Sequence, residues 1–341
     1  MLIVYGYEHK IILNCFIILM KEIFFICSWE KSNKLINKLK RNTPNNKGIW
    51  KNIKIASNFQ SCDYMIVIDD LYIDILNLGI NNFNRIIKNY DKIIYFQREN
   101  TMILNMKKKK SWFILNILPK LKHKYIYEDN YFYTFTTASF INKSYDELKN
   151  MRYPEKKKKL SCIISNKNLS IEYTQRINFI TEFSKNNPNL IDIYGKGWNK
   201  ELGDNYKGEL GCYHNSISIT SKANGLQKYN YSICLENYPD DKIISEKITD
   251  CLLMWCMPIY YGSSFTKKYF PKDSFHLIDI KNKDINNEIY NIIKKPIEKK
   301  NIIAIEKARN LILNKYNIWE QIYQIIDNNE NYKINYRFNL D

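Results

Sequence analysis

Glycine and proline are scarce in this chain, 10 and 8 of 341 residues, which excludes collagen-like and low-complexity architectures. The eight cysteines (Cys15, Cys27, Cys62, Cys162, Cys212, Cys234, Cys251 and Cys256) form no Cys-x-x-Cys pair. A structural zinc site lacks its usual spacing, and Cys212 with His214 has no second ligand pair. Most of the cysteines fall in apolar stretches, as buried thiols of a reducing compartment do. No Gly-x-Gly-x-x-Gly and no P-loop follows a strand-like run, which disfavours ordinary dehydrogenases and NTPases. No Asp-x-Asp triplet is present to hold a diphosphate through a metal ion. Long apolar runs are missing too. Ile11 to Met20 is broken off by Lys21 and Glu22, too soon to span a bilayer. Residues 1–19 read as an N-terminal extension, with a short membrane anchor as the lesser alternative.

Negative charge is also in short supply. Asp and Glu number 35 against 52 Lys and Arg, a formal net charge of +17. Such an excess attracts nucleic acid, anionic membrane or phosphorylated small molecules. The lysine runs 107–110 and 156–159 are the candidates for a nucleic-acid face. They carry no RRM, KH, zinc-finger or helix-turn-helix signature, and no aromatic residues interleave with them. They read as solvated turns or linkers, and no nucleic-acid partner is expected. A non-catalytic basic nucleic-acid-binding protein is the alternative from another class.

What the chain does have is alternation of strand and helix. Short β-branched runs at 22–28, 51–56, 64–68 and 92–97 predict strands, with helices near 31–41, 80–90 and 101–118. The segment 128–159 holds a short helix at Tyr145–Asn150, then Pro154 and lysines, and reads as a linker. A second alternation follows. Strands are predicted at Leu160–Ser165, Leu190–Tyr194, Tyr231–Leu235, Pro258–Tyr261 and Phe275–Ile280. Helices are predicted at Glu172–Lys185, Ser245–Met257, 283–295 and 298–328. This is an α/β pattern with parallel sheets covered on both faces. It resembles the GT-B arrangement, two Rossmann-like domains facing each other across a cleft, with C-terminal helices. The boundaries read as 20–155 for an N-terminal acceptor-side domain, 156–297 for a donor-binding domain, and 298–341 for a C-terminal helix and tail. Ligands of such sheets bind beyond the carboxyl ends of the strands.

The unusual polar residues fall there. Glu236-Asn237 closes the run Tyr231–Leu235, and Ser245 is a credible N-cap for the helix that Glu246 and Lys247 open. A lysine in a first turn opposes the helix dipole unless an anion lies close, and a bound diphosphate would supply one. The spacing alone leaves open that Glu246 and Lys247 are ordinary solvated residues. His214 reads as a solvated loop residue, His276 as a structural one, Trp255 as helix core. Trp319 reads as docking the last helix onto the body.

Taken together, four stretches are similar to the donor-domain signature of the α-1,3-fucosyltransferases, glycosyltransferase family 10. They are Tyr231–Asn237, Ser245–Asp250, Met257–Ser263 and Tyr269–Phe275. Upstream, Leu160–Asn166 resembles the family's first donor-domain strand, and Ile191–Gly197 the next strand and turn. The likeness covers roughly residues 145–285. It implies a transferase using GDP-fucose or a related nucleotide-sugar, with a glycan acceptor, inversion at the sugar, an α-1,3 linkage, and no cofactor or catalytic metal. It implies that Arg176 and Lys247 neutralise the donor diphosphate, and that Glu246 contacts the donor sugar or ribose. Asn237, Glu236, Ser245 and the Ser165-Asn166 turn would complete the donor site. The family's general base lies in the N-terminal domain, where Glu99 is the candidate and Asp69-Asp70 the rivals. The chain departs from the family at Ile243, where a Tyr is usual, and at Tyr238, where Ser is common. A GT-B enzyme using another nucleotide-sugar is therefore the alternative within the class. The expected location is the cytoplasm or the cytosolic face of a membrane, with weak membrane association through the N-terminus or the basic surface.

Overall fold

The computed structural model describes residues 20–27, 29–69, 92–96, 118–125, 141–199, 201–211, 221–239 and 244–327. Residues 1–19, the helix expected at 80–90, almost all of that at 101–118, the lysine run 107–110, Asp70, Glu99, Cys212, His214 and Ile243 lie outside them.

Two sheets carry the described chain. The first contains β1 (Lys21–Cys27), β2 (Ile49–Trp50), β3 (Ile53–Ile55), β4 (Tyr64–Ile68), β5 (Ile93–Phe96) and β6 (His123–Tyr125), in the order β2-β3-β1-β4-β5-β6. Only the β2–β3 pair is antiparallel. The second contains β7 (Lys158–Ile163), β8 (Ile191–Tyr194), β9 (Tyr229–Leu235), β10 (Met257–Tyr261) and β11 (His276–Leu277), in the order β8-β7-β9-β10-β11, all parallel. Numbered along the chain, the parallel strands of both sheets follow the same doubly wound order, 2-1-3-4-5. The central strands are apolar on both faces because helices cover both. Ile23 to Cys27, Met65 to Ile68, Ile93 to Phe96 and Tyr231 to Leu235 are all buried.

The helices among the described residues are α1 (Ser32–Lys40), α2 (Tyr145–Asn150), α3 (Ile171–Asn186), α4 (Glu246–Leu253), α5 (Thr266–Tyr269), α6 (Ile285–Lys294), α7 (Lys299–Asn314) and α8 (Ile318–Asp327). A capping box fixes the start of α2, with Ser144 and Glu147 satisfying each other's backbone N–H. The tract expected to run helical from 298 to 328 breaks between α7 and α8. There the Tyr316 N–H reaches back to Leu311, and the Asn317 side chain accepts from the Glu320 N–H at 2.9 Å, starting a new helix. That break turns α8 onto the first sheet. Trp319, fully buried, packs edge-on against Phe25 at 5.6 Å and donates to the Leu39 carbonyl at 3.1 Å. Glu320 accepts from the Trp50 indole at 2.7 Å and from Lys51 at 2.8 Å.

Other expectations need correction. The run 156–159 is not a linker, although Lys157, Lys158 and Lys159 are exposed as expected. Lys158 and Lys159 belong to β7, and Lys158 pairs with Asp192 at 2.5 Å. Lys156 sends its ammonium inward to the carbonyls of Gln227 and Met254, and burial lowers its pKa. Trp255 does not sit in the helix. It follows α4 with φ of 59°, in the left-handed turn that ends it, and its indole donates to the Met151 carbonyl at 3.0 Å. The strand expected at Phe275–Ile280 shrinks to β11, where half-buried His276 pairs with Ile259. β6 was not anticipated, because His-Lys-Tyr carries no apolar run.

Candidate functional site

In a doubly wound sheet the chain leaves one strand to one side and the next to the other, so the loops part and a crevice opens at their carboxyl ends. In the second sheet this point lies between β7 and β9. The residues just after those strands are Ser165-Asn166 and Glu236-Asn237, the two pairs singled out from sequence. Ser165, Asn166 and Asn237 are half-buried there, whereas Glu236 is only 3% exposed.

Buried Glu236 organises the β9 side. Its carboxylate accepts from the Ser245 N–H at 3.0 Å, from the Ser245 hydroxyl at 2.8 and 2.7 Å, from the Tyr260 hydroxyl at 3.0 Å and from Lys247 Nζ at 3.2 Å. A carboxylate removed from water needs such partners. Ser245 in turn caps α4, accepting from the Lys247 N–H at 3.3 Å. The anion that the first-turn lysine called for is therefore Glu236 itself. The helix-dipole conflict does not by itself demand a bound diphosphate. Glu236 lies under the site as its anchor, and its contact with the outside passes through Lys247. Gly262 is part of the same arrangement, since a Cβ there would sit 2.4 Å from the Tyr260 hydroxyl and 2.6 Å from Glu236 Cγ.

Glu246 and Lys247 are not ordinary solvated first-turn residues; their side chains are 28% and 18% exposed. Lys247 Nζ lies 3.9 Å from Glu246 Oε1. A second lysine, which the sequence did not single out, is closer. Lys222 Nζ contacts Glu246 Oε1 at 3.1 Å and Asp250 Oδ2 at 3.2 Å. It comes from a 3₁₀ turn 24 residues upstream, so no spacing rule could have paired them. The electrostatics divide the carboxylates. Burial opposes the charge on Glu246, but Lys222 and then Lys247 override it and hold the carboxyl well below its ordinary range. Burial raises the Asp250 carboxyl to about 7, only partly offset by Lys222 and reinforced by the Glu246 charge. Burial likewise works against both lysines, yet the neighbouring carboxylates raise both above the usual lysine value.

On the β7 side, Arg176 lies in the N-terminal half of α3, 2% exposed. Its guanidinium packs over the Tyr173 ring at 4.8 Å and donates to the Ser165 carbonyl at 3.3 Å, while its Nε has no partner. Burial lowers its pKa, and Glu236 is among the negative groups that oppose this. Glu236 is thus the shared electrostatic neighbour of Arg176 and Lys247. The turn beneath is set by Gly195, whose missing Cβ would fall 1.8 Å from the Ile164 carbonyl oxygen. That approach lets the Asn166 side chain donate to the Gly197 carbonyl at 3.2 Å and its N–H to Lys196 at 2.9 Å.

In the first sheet the corresponding switch point lies between β1 and β4, and Asp69 follows β4 there. Asp69 is 1% exposed with φ of 63°, and its carbonyl accepts from the Tyr95 hydroxyl at 2.9 Å. Among the described residues, no helix is long and apolar enough to cross a membrane.

The family model of the glycosyltransferase family 10 (fucosyltransferase) C-terminal domain matches residues 153–335, more than half of the chain. Among solved structures, an α1,3-fucosyltransferase aligns with TM-score 0.40 and 16% identity over 87% of this chain and 82% of that one. The GDP-fucose complex of an α1,3-fucosyltransferase aligns with TM-score 0.39 and 15% identity over the same shares, 87% and 82%. TarM aligns with TM-score 0.41 and 14% identity over 90% of this chain and 54% of its own. No curated protein matches the chain.

Proposed function

The chain belongs to glycosyltransferase family 10, the fucosyltransferase family, and from that premise we propose a specific reaction for it. The enzyme moves fucose, or a similar deoxyhexose, from a GDP-sugar to a hydroxyl of a glycan acceptor, inverting the anomeric centre and forming an α-1,3 linkage. No catalytic metal and no nucleic acid takes part. Residues 20–155 supply the acceptor side and 156–297 the donor side, followed by a C-terminal helix and tail over 298–341.

Glycosyl transfer builds positive charge at the anomeric carbon and negative charge on the departing diphosphate. The observation that carries the reading is the cation pair at the β7/β9 switch point, Lys247 held by Glu236 and Ser245, and Arg176 held under Ser165. Charges fixed in advance stabilise a leaving diphosphate without reorganising during the reaction. Glu246, kept ionised by Lys222 and Lys247, contacts the donor sugar or ribose and steadies the positive charge developing at the anomeric carbon. Asn237 and the Ser165-Asn166 turn hold the nucleotide. The general base comes from the first domain, with Glu99 as the candidate and Asp69-Asp70 as alternatives. Half-buried Tyr238, where the family commonly has Ser, leaves room for a different nucleotide-sugar in the same site.

A donor panel tests this. GDP and GDP-fucose are expected to give the largest rise in melting temperature among nucleoside diphosphates and their sugars, and GDP-fucose turnover is expected to release GDP. Stronger protection by a uridine or thymidine donor would replace the GDP-sugar with a different nucleotide-sugar. No shift and no hydrolysis with any donor would refute the assignment.

A further inference from the structure

We propose that Lys222 is a positioning residue of the donor site, holding the Glu246 carboxylate in place from outside its own helix. The inference deepens the donor reading above and rests on it. The turn that carries Lys222 is built to stay still. Ser221 and Asn224 form a reciprocal cap across it, and the Ser221 hydroxyl donates to the buried Ile141 carbonyl at 3.1 Å. Gly225, at its end, lies so close to β7 that a Cβ there would meet Ile163 Cδ1 at 3.0 Å and Leu210 Cδ1 at 2.8 Å. From this fixed base the Lys222 side chain, 15% exposed, crosses to two carboxylates on successive turns of α4, Glu246 and Asp250.

Residues four apart on a helix share a face, so one ammonium can bridge them. The two ends of the bridge are unequal. Asp250 is sealed in, 2% exposed in its side chain, with Oδ1 lacking any partner. Glu246 is the exposed end, 28%, in the first turn of α4. Asp250 therefore orients the lysine, and the lysine orients Glu246. Among the described residues, the charged groups that face Glu246 are Lys222 from the 3₁₀ turn, Lys247 and Asp250 from α4, and Glu236 from the end of β9 across Lys247. A lone glutamate in a first turn would sample several rotamers; one pinned by two ammoniums is set before the donor arrives.

The test uses the full chain, labelled with ¹³C at the glutamate carboxyls, in wild type, Lys222→Arg, and the pair Lys222→Met with Asp250→Asn. The pair removes the cation together with the carboxylate it would leave unpaired, which protects the fold. In the pair, the Glu246 titration is expected to move upward by about one pH unit or more. Its kcat/KM for GDP-fucose is expected to fall about tenfold or more, with the acid limb of the pH profile moving in step. Lys222→Arg retains most of the activity. In a Glu246→Gln background, loss of Lys222 is expected to lower the rate further by less than about threefold, because residues acting as a unit are non-additive. Wild-type turnover of GDP-fucose with an unmoved Glu246 titration in the pair overturns the placement alone. Full additivity with Glu246→Gln also overturns it. No turnover by wild type overturns the donor reading, and with it the purpose of the placement.

Discussion

Lys247→Ala is expected to lower kcat for sugar transfer by about a hundredfold or more, the ~2.7–4 kcal/mol typical of losing one fixed group at a developing charge. The expected loss falls on kcat more than on the donor KM, since the charge it meets grows as the diphosphate departs. A structural effect has to be separated from it. Lys247 is also the counter-ion of Glu236, which is 3% exposed. Removing one member of a buried pair costs about 3–5 kcal/mol of stability, because the other charge stays behind. Replacing both, Lys247→Met with Glu236→Gln, removes that penalty but leaves the catalytic defect. Melting curves and steady-state rates on the single and double variants separate the two effects. A double variant that folds and turns over near the wild-type rate would show Lys247 to be structural only.

Gly195→Ala is expected to be the most damaging small substitution in the donor half. At φ of 147°, its new methyl would sit 1.8 Å from the Ile164 carbonyl oxygen and 2.5 Å from its carbon. Neither atom can yield, because that carbonyl accepts from the Trp198 indole at 2.7 Å and the Ile164 N–H is bound to Tyr194. The strand ends must part, at a cost on the order of 3–5 kcal/mol, the range of severe point mutations. Ser165 and Asn166 move with them, so donor affinity falls as well. Gly203 is the control: its φ is 52°, but nothing lies within 4 Å of a Cβ there. Gly203→Ala should cost only the ~1–2 kcal/mol of a left-handed backbone. Denaturant titration of the two variants checks the difference, and equal midpoints would contradict the account.

Local pattern explains which parts of this molecule could be read in advance. Ile23 to Cys27 and Tyr64–Ile68 are short apolar runs, and Tyr231–Leu235 is one broken only by Ser232; a strand buried on both faces leaves that signature directly in the sequence. The Ser245 cap was legible for the same reason, since it acts within two residues of itself. Glu236-Asn237 and Ser165-Asn166 could be placed at a site because polar residues closing a parallel strand lie where ligands bind. What stayed hidden depends on distance in the chain. Lys222 meets Glu246 across 24 positions, and Tyr260 meets Glu236 across the same number. The ion pair of exposed Lys158 was hidden because its partner, Asp192, is on another strand. The first-turn lysine was read correctly as needing an anion, but Glu236 fills that role from 11 residues upstream.

The central claim is that Arg176 and Lys247 hold the leaving diphosphate at the β7/β9 switch point. A crystal structure of the protein with GDP tests it most directly. The account predicts diphosphate oxygens within hydrogen-bond distance of Lys247 Nζ and of the Arg176 guanidinium, with the nucleoside beside Asn237 and the Ser165-Asn166 turn. GDP bound elsewhere, with the Lys247–Glu236 pair and the Arg176–Ser165 contact unchanged, would contradict it.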